Sequence, residues 1–200
     1  MLCLSYDFSD ETPRTTRNAG RTRTNILAAA ATAMVEHGTG VSLEYIAKQA
    51  GISKSGLFHH YPNREALIVA LVDGTQEQFR ENVLKHLDIS ENKPGKLLRA
   101  YVRALTSGSE ATIQYFTAAP IWAGVYRIPE VVQITKSDDQ WWAENFAADG
   151  LSSDRILIIR RAAEGLAIAV AYGEENQASI DEGRELLLRL ADGGEFGSSS

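Results

Sequence analysis

The sequence predicts an all-α protein, an N-terminal three-helix helix-turn-helix domain followed by a larger helical body, with about nine helices in total. Three observations lead there. Apolar residues recur at three-and-four spacing, as at Ile26, Leu27, Ala30, Ala33, Met34 and Val35, which is the period of one buried helix face. Glycine, proline and asparagine punctuate the chain into blocks of helical length. No stretch shows the strict alternation of a half-buried strand. With 200 residues, 44% of them hydrophobic, the chain can bury a substantial core.

Residues 1–20 are polar and lack a sustained period, so they read as a flexible arm with Arg14 and Arg17 as its cations. A first helix is expected from Arg21, supported by the alanine run Ala28 to Ala31. It ends at His37-Gly38, where glycine suits a left-handed cap and the imidazole meets the negative end of the helix dipole. Ser42 is the expected N-cap of a second helix, which buries Leu43, Ile46, Ala47 and Ala50 and stops at Gly51. After Ile52, Ser53 caps a third helix reaching His59 or His60. Pro62 closes it, because the residue before a proline is pushed out of the α region. Asn63 caps a fourth helix that starts at Arg64 and runs to 85–87, weakened at Gly74. Further helices are expected at 94–107, 111–126, 129–148, 153–172 and 179–191, with no internal repeat. The divisions that follow are an arm at 1–20, a head at 21–62, a body at 63–193 and a tail at 194–200 with the composition of an appended linker.

The net charge of −6 hides an asymmetry. Residues 12–64 hold seven basic residues against two acidic, a net of +5, whereas residues 65–200 hold 13 against 21, a net of −8. A basic segment on an acidic body is the electrostatic footprint of a DNA-binding head. The lone cysteine, Cys3, excludes an internal disulfide and a cysteine-based zinc site. No apolar run approaches the roughly 20 residues of a membrane span, and Met1 to Asp10 lack the features of a signal peptide. The expectation is a cytoplasmic protein with no membrane partner. Catalytic signatures such as G-x-S-x-G, H-E-x-x-H or a phosphate-binding glycine loop are absent from the sequence. Its four histidines (His37, His59, His60, His86) all lie in the N-terminal half. The adjacent His59 and His60 diverge by about 100° on a helix, with no acidic residue or cysteine four positions on, so neither metal nor cofactor is expected.

Residues 42–61, SLEYIAKQAGISKSGLFHHY, carry the mechanics of a helix-turn-helix. Two helices of about two turns flank a tight turn at Gly51, and Ala47 is small where they must cross. Such a unit offers its second helix to the major groove while the first crosses the backbone. Ile52 and Leu57 would face the core and Lys54, Ser55 and His59 the outside, with Gly56 letting the backbone approach DNA.

The stretch Arg23 to Ala70 resembles the DNA-binding domain of the TetR family of bacterial transcriptional repressors. The similarity runs through Ile26-Leu27-Ala28-Ala29-Ala30, Gly38, Val41-Ser42-Leu43-Glu44-Tyr45-Ile46-Ala47, Ala50 to Tyr61 and Arg64-Glu65-Ala66-Leu67. It implies a DNA-contacting set of Arg23, Ser42, Ser53, Lys54, Ser55, Gly56, Phe58, His59 and Arg64. In relatives the hydroxyl at Ser42 caps its helix and meets a phosphate, and the helix from Ser53 to His59 enters the major groove. Phe58 stands where relatives carry a tyrosine and lacks the phenol they aim at a phosphate. Arg64 stands where they carry a lysine, a cation beside a helix N-terminus that can bind phosphate. His60 is expected to pack rather than read bases. Arg14 and Arg17 either solvate a tail or reach phosphate or the minor groove.

The body resembles the family in architecture alone. Tyr101, Phe116, Trp122, Tyr126, Trp141, Trp142 and Phe146, with the small residues Ala118, Ala119, Ala123 and Gly124 nearby, suit an apolar ligand cavity; an ordinary helical core would use the same side chains. Trp141 and Trp142 cannot both face inward. Glu144 and Asp138 or Asp139 would offer a negative partner to a cationic aromatic ligand. Ile159, Ala163, Leu166, Ala167 and Val170, with Leu187 and Leu190, form apolar faces for the four-helix dimer bundle that the resemblance implies, although an intrachain core explains the leucines equally. The expected function is a homodimeric repressor that binds a palindromic double-stranded operator and is released by a small lipophilic or aromatic effector. The alternatives are a DNA-bound protein-interaction module without a ligand and a small helical enzyme with an accidental helix-turn-helix segment.

Overall fold

The computed structural model describes residues 14–117 and 124–193. Among the described residues the secondary structure is entirely helical, in nine α-helices. The chain divides into two compact units after Leu67, inside the fourth helix rather than before it.

In the first unit, α1 spans Arg14–His37, α2 Leu43–Gln49 and α3 Lys54–His60; α4, Arg64–Lys85, begins here and continues through Gly74 into the second unit. The expected start of α1 at Arg21 is corrected to Arg14, so residues 14–20 are helical rather than part of an arm. Their sequence is polar and carries no apolar period, yet extending an existing helix is far easier than nucleating one. α1 packs on α2 and α2 on α3. Ile26, Ala30, Ile46, Leu57 and Leu67 retain no exposed surface, and each large side chain so buried stabilises by about 1.5–3 kcal/mol. Asn63 caps α4 as expected, its Oδ1 accepting from Ala66 N at 2.7 Å.

The second unit adds α5 (Lys96–Leu105), α6 (Glu110–Thr117), α7 (Pro129–Ala148), α8 (Ser153–Tyr172) and α9 (Gln177–Ala191). α8 packs on α5, α6, α7 and α9, and α5 also meets α7 and α9. Of the helix expected at 111–126, the described residues form α6 at Glu110–Thr117 and a turn at 124–127 before α7, and residues 118–123 lie outside the described residues. Pro129 sits in the first turn of α7, where its missing donor costs nothing.

One buried cation fastens this unit. Arg99, 1% exposed, donates from Nε to Glu91 at 2.8 Å and from Nη1 to the Pro94 carbonyl at 2.8 Å. Its Nη1 also lies 3.1 Å from Asp192, just beyond the C-terminus of α9. The planar five-donor fork of arginine suits a site where α5, the preceding loop and the end of α9 converge. Burial pushes the Glu91 carboxyl up, but hydrogen bonds from Arg103 and Arg99 outweigh it and hold the group below its ordinary range.

Candidate nucleic-acid interface and the aromatic body

Local chemistry sets the geometry of the two-helix unit. Ser42 is extended (φ −72°, ψ 145°) and its hydroxyl accepts from Tyr45 N at 3.1 Å. Gly51 then turns the chain with φ +70°, a left-handed conformation that glycine alone adopts without strain. Ser53 (φ −74°, ψ 157°) restarts the helix, its hydroxyl accepting from Gly56 N at 3.0 Å. Ala47 is buried where α2 and α3 pack together. On α3, Leu57 points into the core while Lys54, Ser55, Phe58 and His59 are exposed. Lys54 with Phe58, and Ser55 with His59, are i, i+4 pairs, so one helix presents a cation, a hydroxyl, an aromatic ring and an imidazole to solvent.

Several of the expected DNA contacts have partners within the chain. Arg64 is half-buried, donating from Nη1 to the Thr39 carbonyl at 2.7 Å and from Nη2 to the Val41 carbonyl. It braces the loop that leads into α2, and its guanidinium is occupied there rather than held out for a phosphate. Gly56 also has a local reason, since a Cβ there would stand 3.2 Å from the capping Ser53 Oγ. Lys54 is exposed but pairs with Glu44 of α2 at 3.5 Å, a partner that no sequence pattern indicates. Ser53 and Ser55 share a hydrogen bond of 3.0 Å. His60 is half-buried and meets His59 edge to face. Arg23 is exposed on α1; its charge opposes the upward push that burial gives the Tyr61 phenol. A further link missed in the sequence ties α1 to α2: His37 Nε2 and Tyr45 OH lie 3.0 Å apart. The two residues are eight positions apart with no pattern joining them.

In the body, Tyr101, Trp142 and Phe146 are at most 3% exposed and pack ring against ring, Trp142 stacking on Phe146 at 5.4 Å and both meeting Tyr101 at 5.2 Å. They belong to the core. Phe116 and Trp141 are half-buried and Tyr126 is exposed; Trp122 lies outside the described residues, as do residues 118, 119 and 123. The adjacent tryptophans divide as geometry requires, Trp142 inward and Trp141 toward the surface under the Arg80 guanidinium, 4.5 Å from its ring centroid. Polar groups line this cluster. Asp138 accepts from Arg80 and, at 3.1 Å, from Trp142 Nε1. Glu164 Oε1 accepts from the Tyr101 hydroxyl and from Arg160 Nε, both at 3.0 Å. Burial and the nearby Asp138, Asp139 and Glu164 push the Tyr115 phenol up to about 12. The expected cation partners are therefore engaged: Asp138 with two donors, Asp139 with Arg160 at 3.7 Å, and Glu144 with Gln140 at 2.7 Å.

The residues expected at a dimer interface also face inward. Ile159, Ala163, Ala167, Leu187 and Leu190 are buried within their own chain. Leu166 sits against α9 so closely that a Cβ on Gly183 would lie 2.9 Å from it; Val170 is half-buried. The outward side of α8 is a different stripe, with Leu157, Ile158, Ile168 and Tyr172 between 43% and 57% exposed and the exposed small residues Ala162 and Gly165 between them. Among the described residues no three His, Cys, Asp or Glu side chains converge on a point that could hold a metal, and no helix is long and apolar enough to cross a membrane.

A capped, glycine-turned pair of short helices with one polar exposed face defines a helix-turn-helix DNA-binding regulator. Residues 26–71 match the family model described as bacterial regulatory proteins, tetR family, and residues 95–192 match the tetracyclin repressor-like C-terminal domain. The chain belongs to the TetR family of transcriptional regulators. No curated protein matches it. Among solved structures, a transcriptional regulator from Pseudomonas aeruginosa PAO1 superposes with a TM-score of 0.73 at 17% identity, covering 92% of this chain and 95% of the other. A TetR-like transcriptional regulator from Rhodococcus sp. RHA1 gives 0.64 at 22% identity, covering 94% of this chain and 100% of the other. The multidrug binding protein EbrR, complexed with imidazole, gives 0.61 at 18% identity, covering 93% and 97%. At these identities the superpositions establish the fold.

Proposed function

We propose that the protein is a homodimeric repressor that binds a palindromic duplex through Lys54, Ser55, Phe58 and His59, with Ser42 at the backbone, and that a small aromatic or lipophilic effector bound by the body releases it. The observation that carries the DNA half is the exposed face of α3, set by two capping serines and the turn at Gly51. Support for the effector half comes from the half-buried rings of Phe116 and Trp141 beside buried polar groups, and from a shared fold with a multidrug binding protein. The dimer is assigned to the exposed stripe of α8, because the inward residues are already covered by their own chain. Such a dimer has two-fold symmetry, so its operator carries half-sites one helical turn, about 34–36 Å, or a multiple apart. The effector releases DNA by favouring a dimer conformation whose recognition helices no longer match successive grooves, and only to the extent that it binds that conformation more tightly.

The test is selection of binding sites from random duplexes with the full chain, followed by titration of the complex with a mixed panel of lipophilic and aromatic compounds. Enrichment of a palindrome that is then released by one chemical class supports both halves. Enrichment without release by any compound overturns the effector half and points to a protein partner for the body; failure to enrich any duplex overturns the DNA half.

A further inference from the structure

Around the exposed side of the aromatic cluster, acceptors and donors are unequally spent. Both oxygens of Asp138 are occupied, Oδ1 by Arg80 Nη2 and Oδ2 by Trp142 Nε1 at 3.1 Å. Both oxygens of Glu164 are occupied as well, Oε1 by Tyr101 and Arg160 at 3.0 Å and Oε2 by Arg161 at 2.6 Å. Asp139 lies mostly in solvent, 3.7 Å from Arg160. Three arginines thus face three carboxylates, leaving no net negative charge to attract a cation. Among the described residues the buried side-chain polar atoms without a hydrogen-bond partner are two, Arg80 Nε and Arg103 Nη1. Arg103 belongs to the Glu91 cluster. Arg80 lies over Trp141, and its Nε is a donor with no acceptor beside an aromatic face. A buried donor left unpaired is costly, and a ligand that satisfies it recovers that cost on binding.

Building on the effector reading above, we propose that the body selects an aromatic ligand bearing a neutral or anionic hydrogen-bond acceptor, which stacks at Trp141 and takes Arg80 in competition with Asp138. A cationic ligand is rejected, since it meets a guanidinium and carboxylates already engaged by their own arginines. This reverses the preference that the carboxylates suggest when the sequence alone is considered. Arg80 would be a specificity-determining residue and Asp138 its internal competitor.

Isothermal titration calorimetry of the full chain with naphthalene-2-carboxylate, naphthalene-2-carboxamide and 2-naphthyltrimethylammonium tests the assignment. The carboxylate and the amide are expected to bind, with the ammonium at least tenfold weaker. Arg80→Met should weaken the carboxylate at least tenfold. Asp138→Asn, which keeps an acceptor for Trp142 while removing the competing charge, should strengthen it severalfold and does not depend on Arg80→Met folding. Ammonium binding as tight as the carboxylate overturns the proposal and leaves an effector-binding body standing. Unchanged carboxylate affinity in Asp138→Asn overturns it too. Binding by none of the three probes also overturns it, while release of DNA by the mixed panel judges the underlying effector reading separately.

Discussion

The head and the body use the same building material, amphipathic helices, but place their chemistry at opposite depths. In the head, the side chains proposed to meet DNA are exposed, and Ile26, Ile46, Leu57 and Leu67 are buried. In the body, charge is carried inward: Arg99 is 1% exposed and Asp138 6%, each held by several partners. A surface that meets a duplex needs donors and cations within reach of solvent. A domain that discriminates small molecules needs polar atoms fixed within an apolar surround, where each unpaired group is costly. The helix α4 belongs to both, with Arg64 tied to carbonyls in the first unit and Arg80 to a carboxylate in the second.

Four substitutions sharpen this contrast, beginning with the largest effect. Arg99→Ala should cost about 3–5 kcal/mol, because it removes a buried hub and one of the two arginines that hold Glu91; urea unfolding of the full chain measures it. Its pH dependence has a definite sign. The Glu91 carboxyl is held below its ordinary range, so its contribution is complete above the unfolded value of about 4.3 and is lost as pH falls through the lower folded value. The gap between parent and variant should therefore narrow in acid. Equal stability at pH 7 would mean that the buried cation does not fasten the second unit.

Next, Ile168→Glu places a charge on the outward stripe of α8 and should weaken self-association about 100-fold, equivalent to about 2.7 kcal/mol, read by sedimentation. Ala163→Glu should instead damage folding, since that position is closed within the chain. A dimer that withstands Ile168→Glu would move the interface elsewhere. The smallest effect belongs to Glu44→Gln. Exposed ion pairs are worth about 0–1 kcal/mol, so freeing Lys54 should tighten binding to duplex DNA by no more than about fivefold, measured by fluorescence anisotropy. Weaker binding would assign Glu44 a direct contact of its own.

The two regions also differ in how far the sequence reveals them. Helix capping is local: Ser42, Ser53 and Asn63 each act on an amide three residues away, and all three caps stand where the sequence placed them. Partnerships across distance are not local. Glu44 with Lys54, Arg80 with Asp138 and Arg99 with Asp192 depend on packing angles that no short spacing encodes. Helical periodicity identified α8 as a helix with apolar faces but could not say which face its own chain covers, because Ala163 and Ala162 are equally small and only one is buried. Arg64 shows a similar limit: a cation beside a helix start can serve a phosphate or a nearby carbonyl, and only the structure shows that it reaches the carbonyls of Thr39 and Val41.

The central claim is that α3 presents its outward face to DNA, and Lys54 tests it most directly. Affinity for the selected duplex should be measured across salt concentrations for the parent and for Lys54→Ala. If the Lys54 ammonium neutralises a phosphate, its removal lowers the slope of log K against log salt by about 0.9 per bound protomer and weakens binding to all sequences alike. An identical slope and affinity in the variant would contradict the assignment of α3 as the DNA-facing helix.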